Sequence, residues 1–343
     1  MKRIIGLFCL LTVQHVFSQT GGIHAFPLLD YAFNARNASL AGNFITVKDQ
    51  DVNLGLSNPA LLNERMHNQI SVNQSLHPGN INFGQAVYGS KLKKGFLVGS
   101  FRYADYGTFQ RTEVNGIASG SFKPFEGILG ISYGKQMNPR ISVGANFNFI
   151  FSQFDGYTAN GLSADLGGAY TSADESFLFT ALVKNAGKQF KSLTPNQTKA
   201  LPTNFQVGIA KKLAHAPFRV SLVMHHLNRW DLTYYDPNLK PAIDLLTGEE
   251  IPVELPGFGE KLARHFTYQV EILASEYLHL RLGFDYQKRQ ELKLESRPGI
   301  AGFTTGIGLQ FKRFSLDYGL MIFSKAGSSN TFTLSSSPSN WRK

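Results

Sequence analysis

The sequence predicts an all-β chain, a transmembrane antiparallel β-barrel of about 14 strands with a small plug-like segment at its N-terminus. Three features predict it: alternation of apolar with small or polar residues, the parity of the gaps between alternating runs, and the leader. The alternation is clearest over Arg140 to Phe151. Ile141, Val143, Ala145, Phe147, Phe149 and Phe151 share one face, and Ser142, Gly144, Asn146 and Asn148 share the other. Successive strand side chains point to opposite faces, so this run is greasy on one side and wet on the other. Leu278, Leu280, Leu282, Phe284 and Tyr286 repeat the pattern, with His279, Arg281, Gly283 and Asp285 opposite. A sheet that is apolar outside and polar inside spans a membrane as a closed barrel.

The predicted strands cover 67–76, 81–90, 94–103, 125–136, 139–154, 158–171, 175–185, 203–212, 217–227, 266–275, 277–288, 300–311, 313–324 and 328–335. The long gaps, 104–124, 186–202, 228–265 and 289–299, all follow odd-numbered strands. Gaps after even-numbered strands are mostly tight, as at Lys91–Lys93 and Lys312. Barrels of the outer membrane have short turns on one rim and long extracellular loops on the other, with an even strand number.

Lys2 and Arg3 precede an apolar stretch from Ile4 to Val13, and Val16-Phe17-Ser18 before Gln19 suits cleavage. Residues 1–18 therefore read as a secretory signal peptide, too short to be a spanning helix. Export followed by a barrel implies the cell outer membrane, with the long loops extracellular. Cys9 lies inside the leader, so the mature chain holds no cysteine and neither disulfides nor thiolate chemistry. The formal charge of +10 becomes +8 once Lys2 and Arg3 are removed. The excess reads either as a surface for anionic lipid or lipopolysaccharide, or as solvated turn charges at Lys91, Lys93, Lys94, Lys211, Lys212, Lys312 and Arg313. Nucleic acid is excluded by topology.

Residues 19–66 precede the barrel (67–335), and 336–343 form a C-terminal tail. Ala35 to Leu40 has helical spacing with Gly42 as a stop, and Asn43 to Val47 suits a short strand. Asn58-Pro59-Ala60 reads as a helix start, since Asn caps and Pro is favoured at the first helical position. Such a segment either plugs the lumen or extends loosely beside the barrel; its apolar residues need cover, which favours the plug.

Enzymatic readings fare badly. Ser90-Lys91-Leu92-Lys93 has the S-x-x-K spacing of penicillin-recognising enzymes, but falls on a strand end and lacks the partner motifs. His225 and His226 should point to opposite faces of a strand and so cannot share an ion. No metal-ligand spacing or cofactor motif is present in the sequence. Asp165, Asp285 and Asp317 should face the lumen, pairing with residues such as Arg281 or meeting water.

Several stretches carry a resemblance. Phe26-Pro27-Leu28-Leu29, Ala35-Arg36-Asn37-Ala38-Ser39-Leu40-Ala41-Gly42, Asp49-Gln50-Asp51-Val52 and Ser57-Asn58-Pro59-Ala60-Leu61-Leu62 resemble the N-terminal signature of the PorV/PorQ group. These are outer-membrane proteins of the type IX secretion system, related in fold to the FadL-like fatty-acid transporters. Tyr106-Gly107-Thr108-Phe109, Lys184-Asn185-Ala186-Gly187, the run from Lys211 to Arg219 and Trp230-Asp231-Leu232-Thr233 resemble the PorQ branch. The resemblance implies a surface scaffold or anchor whose partners are a PorZ-like protein, PorV and the PorU sortase, which links cargo to lipopolysaccharide. The alternative is a FadL-like transporter of hydrophobic small molecules. A transporter needs a continuous apolar lumen, and the inward residues of strands six and eleven suggest none, which leans toward the scaffold. The longest loop, 228–265, offers partner-binding candidates Tyr235 and Phe258, with Trp230 and Tyr234 closer to the strand end.

Overall fold

The computed structural model describes residues 24–194, 198–233, 242–243, 250–251, 255–293, 299–324 and 327–338. The chain divides into two units, residues 24–232 with 257–343, and residues 1–23 with 233–256. Among the described residues of the smaller unit, Ala242–Ile243 and Glu250–Ile251 form a short antiparallel ladder. The signal-peptide reading of 1–18 lies outside the described residues, as do Tyr234 and Tyr235.

The larger unit is a closed barrel of fourteen antiparallel strands. In chain order they are β1 (Ile70–Leu76), β2 (Asn82–Leu92), β3 (Gly95–Asp105), β4 (Phe125–Gln136), β5 (Ile141–Phe154), β6 (Tyr157–Thr171) and β7 (Phe177–Lys191). Then come β8 (Asn204–Lys212), β9 (Phe218–Met224), β10 (Phe266–Leu273), β11 (Leu278–Asp285), β12 (Phe303–Gln310), β13 (Phe314–Ser324) and β14 (Gly327–Ser336). Each strand pairs with its neighbours in the barrel order, and β1 closes on β14 with Val72 opposite Leu334. Closure leaves no unpaired strand edge, which a bilayer would not tolerate.

Alternation sets the two faces as the sequence implies. On β5, Phe147 is 64% exposed while Asn146 beside it is 2% exposed. Leu129, Ile131, Leu162, Leu166, Leu282 and Phe332 are likewise exposed on other strands. A continuous apolar belt of this kind matches hydrocarbon, not water. The long connections follow β3, β7, β9 and β11, and the even-to-odd connections are tight turns. The connection after β3 carries a hairpin, Phe109–Thr112 with Ala118–Phe122, whose residues are nearly all exposed.

Three local expectations are corrected. The eleventh strand stops at Asp285, and Tyr286–Leu292 forms a helix instead. Asp285 ends the strand because its carboxylate accepts the Lys288 N–H at 2.9 Å, capping that helix. β7 runs to Lys191, beyond the expected 185, because its upper half still finds partners on β6, such as Gln189 opposite Gly161. Asn43–Val47 forms no strand and pairs in no sheet.

Phe147→Arg should cost about 2–4 kcal/mol if the position lies near the bilayer midplane, read as loss of heat-modifiable gel mobility. From sequence, Asn146→Arg should be nearly neutral. The structure changes that expectation, because Asn146 is buried against the N-terminal segment, its amide 3.5 Å from the Leu56 carbonyl. Asn146→Arg should instead leave the barrel assembled but expose the N-terminal segment to added protease.

Candidate functional site: the plugged lumen

Most residues of 24–66 are buried, and the segment packs against inward-facing residues of the barrel wall. Within the segment, the helix Ala35–Ser39 begins where the Asn34 side chain accepts the Asn37 N–H at 2.8 Å. Gly42 follows with φ +85, the left-handed conformation that ends a helix. Asn58 plays the capping part at a second turn, accepting the Ala60 N–H at 3.0 Å, with Pro59 opening a single 3₁₀ turn to Leu61. Ala35, Arg36, Asn58, Pro59 and Ala60, the five residues singled out in the sequence, are all buried.

The wall meets these turns with glycine. A Cβ on Gly144 would strike the Pro59 carbonyl, and one on Gly167 would strike the Asn58 side chain. Across the lumen a Cβ on Gly319 would strike the Ala35 carbonyl. Ser142 Oγ donates to the Ala60 carbonyl at 2.7 Å, and the Ala35 N–H donates to Thr333 Oγ1 at 2.9 Å. Backbone thus approaches backbone on two sides, leaving no room for side chains between.

Charge completes the attachment. Arg36 Nε lies 2.9 Å from Glu271 Oε1, and its terminal nitrogens reach Asp49 at 2.8 Å and Asp51 at 3.5 Å. Glu271 also receives Arg219 at 2.7 Å and Arg281 at 3.3 Å, and Arg281 reaches Asp317 at 2.6 Å. Glu271 and Arg281 are almost fully buried. In this low-dielectric setting losing one partner of a buried ion pair is costly.

Toward the long-loop rim the character changes. Ala104, Ile128, Ile150 and Ala159, on four successive strands, point inward and pack with Leu201 against Phe26, Leu28, Leu29 and Phe33 of the segment. Tyr31 stacks on Phe83 at 4.0 Å and hydrogen-bonds His77 Nε2 at 2.6 Å. Sequence reasoning missed this apolar recess and the expectation of a lumen without greasy lining is corrected. The signal was present: Ile128 and Ile150 are isoleucines on otherwise small or polar inward faces. Glu271 was also missed, although it follows Thr267 and Gln269 on the inward face of β10. At the opposite, short-turn rim a vestibule of about 870 Å³ opens between segment and wall.

Other sequence expectations resolve as follows. Arg281 pairs with Asp317 as anticipated, Asp165 accepts the Asn185 N–H at 2.6 Å, and Asp285 is buried. His225 and His226 do not point apart: β9 ends at Met224 and His226 has φ +56, which brings the two Nδ1 atoms to 2.7 Å. Among the described residues no group of three metal-ligating side chains forms. Trp230 and Phe258 pack together with ring centroids 5.2 Å apart, 40% and 71% exposed. Trp230 also stacks on His265 at 5.6 Å.

No protein-family model matches the chain, and no curated protein does. Solved structures do. The Ralstonia pickettii toluene transporter TbuX superposes with a TM-score of 0.54 at 11% identity, over 91% of this chain and 98% of its own. The Pseudomonas putida toluene transporter TodX gives 0.53 at 14% identity, over 90% and 98%. The monoaromatic hydrocarbon channel CymD gives 0.53 at 10% identity, over 91% and 97%. At these identities the likeness establishes a shared fold. The barrel from Ile70 to Ser336 is under four-fifths of the chain, so the match extends into the flanking residues.

Glu271→Gln leaves three arginines facing a neutral amide and should destabilise the folded barrel by about 3–5 kcal/mol in urea titrations. A second outcome concerns pH. Burial, then the nearby Lys288 and His265, push His225 down to about 3; burial, then His225 and Arg229, do the same to His226. With folded values below the unfolded one, the unfolded chain takes up protons first as pH falls. Stability is therefore full above about pH 6.5 and declines below it. His225→Gln with His226→Gln should flatten that part of the urea-midpoint profile.

Proposed function

We propose that this barrel passes hydrophobic small molecules across the outer membrane, with residues 24–66 as its hatch. The observation that carries the reading is the apolar recess beneath the long-loop rim. Its wall side chains are covered by Phe26, Leu28, Leu29 and Phe33, a short apolar stretch at the start of the described hatch. A hydrophobic molecule offers the wall the same kind of contact, so exchanging one for the other costs little apolar burial. Covering ~200 Å², the area of one aromatic ring, recovers ~5 kcal/mol. The polar wall below is different, because Glu271, Ser142 and Thr333 make directional contacts to the hatch that a hydrophobic molecule cannot replace. Toluene and monoaromatic hydrocarbons are the cargo named for the fold's neighbours, and molecules of that class suit a recess lined by isoleucine, alanine and phenylalanine.

A second reading, the surface scaffold of type IX secretion, rests on the sequence resemblance to the PorQ branch. The exposed Trp230–Phe258 pair favours it, since aromatic pairs left in water are common anchors for a partner. Under it, the PorZ-like protein, PorV and PorU would be held at long extracellular loops.

The two readings part on one experiment. Cells carrying the chain should take up radiolabelled toluene faster than cells lacking it. Ile128→Gln with Ile150→Gln should remove most of the gain while the barrel stays assembled. Uptake equal to that of cells without the chain would refute the transport reading. Recovery of secretion components by affinity isolation from the same membranes would then support the scaffold.

A further inference from the structure

The short-turn rim holds a feature that neither reading uses. Its vestibule is lined by five cations: Lys48 and Arg65 from the hatch, Arg140, Lys212 and Arg219 from the wall. Two carboxylates, Glu64 and Glu175, share it. Glu64 is engaged by Lys91 at 2.9 Å and Glu175 by Arg65 at 3.3 Å, while Arg219 is committed to Glu271. Lys48 donates to Ser142 Oγ at 3.1 Å and to Gln136 but meets no carboxylate. The side chains of Arg140 and Lys212 have no hydrogen-bond or ion-pair partner among the described residues. Burial, then the charge of Arg65, lowers Lys48 to about 8, and the five cations of the lining outnumber its two carboxylates.

We propose that this vestibule is a docking site for an extended acidic peptide segment of a partner protein on the turn side of the membrane.

Three arguments select that occupant. The vestibule lies within the ring of strands, walled by the inward residues Leu178 and Ala210, whereas lipid headgroups surround the barrel from outside. The two unpaired cations also start from well-separated backbone positions. Arg140 immediately precedes β5 and Lys212 ends β8, three strand spacings apart, ~14 Å along the wall. An extended chain of about five residues spans that distance, with alternate side chains ~7 Å apart on one side. Finally, the volume of about 870 Å³ admits such a segment.

The test is calorimetric titration of the folded full chain, in nonionic detergent at low salt, with a blocked hexa-aspartate peptide. The peptide should bind, and Arg140→Gln with Lys212→Gln should weaken it at least ~10-fold, with steep weakening as salt rises past ~0.1 M. Both positions are exposed, so the variant should keep the parent's heat-modifiable mobility. No binding by the parent, or equal binding by parent and variant, overturns the proposal. Inorganic phosphate that binds where the peptide does not reassigns the vestibule to a small anion and equally overturns it.

Discussion

The structure depends on one buried carboxylate. Glu271 projects from β10 into a lumen from which water is largely excluded, and there it gathers Arg36, Arg219 and Arg281. Two of those arginines belong to the wall and one to the hatch. Alone, any of the three would be intolerable in that setting. Together with Asp49, Asp51 and Asp317 they form a compensated cluster that fixes where the Ala35–Ser39 helix sits. Once that helix is placed, the Asn58–Pro59 turn meets the opposite wall, and the lumen is closed between them.

The inward glycines make the closure possible and divide the hatch into two parts. Gly144 and Gly319 let the wall accept hatch backbone, and Gly167 the Asn58 side chain, at distances no Cβ would permit. The stretch between Ala35 and Leu62 is held by backbone fit, hydrogen bonds and ions, which are directional and hard to replace, and also by an apolar cluster in which Leu54, Leu61 and Leu62 join Val87, Phe96 and Val98 of the wall. Residues 25–33 are held mainly by apolar contact with Ala104, Ile128, Ile150 and Ala159, which is nondirectional. The part that another hydrophobic body can most easily displace is consequently the part nearest the long-loop rim. Tyr31 qualifies this, since its hydroxyl is tied to Ser75 and His77.

The barrel was legible because strand alternation is local: each of the fourteen strands announces its two faces within ten or so residues. The parity of the gaps needed only a count along the chain. The lumen was less legible. Arg281 with Asp317 was readable, since the two lie on inward faces, each three residues from the start of its strand, but Glu271 draws its meaning from Arg36, over two hundred residues away. The pair His225–His226 was misread because alternation was carried one turn past the strand end, where His226 adopts a positive φ. Asn146 was misread for the same kind of reason. A polar inward face was equated with water, and here it faces the hatch.

The same parity accounts for the basic excess of the chain. Within the cluster around Glu271 the charges nearly cancel, three arginines among four carboxylates, so the cluster does not supply the surplus. At the turn rim, neighbouring lysines take opposite roles. On β8 the inward series Gln206, Gly208, Ala210 carries Lys212 into the vestibule, whereas Ile209 and Lys211 point outward. On β4, Tyr133 and Lys135 border an apolar groove on the outer face while Gln136 turns inward to Lys48. The outward Lys211 donates to Ser176 Oγ at 2.6 Å, in the turn before the neighbouring strand. A cation one position along the chain faces inward and meets only what enters the bore from below.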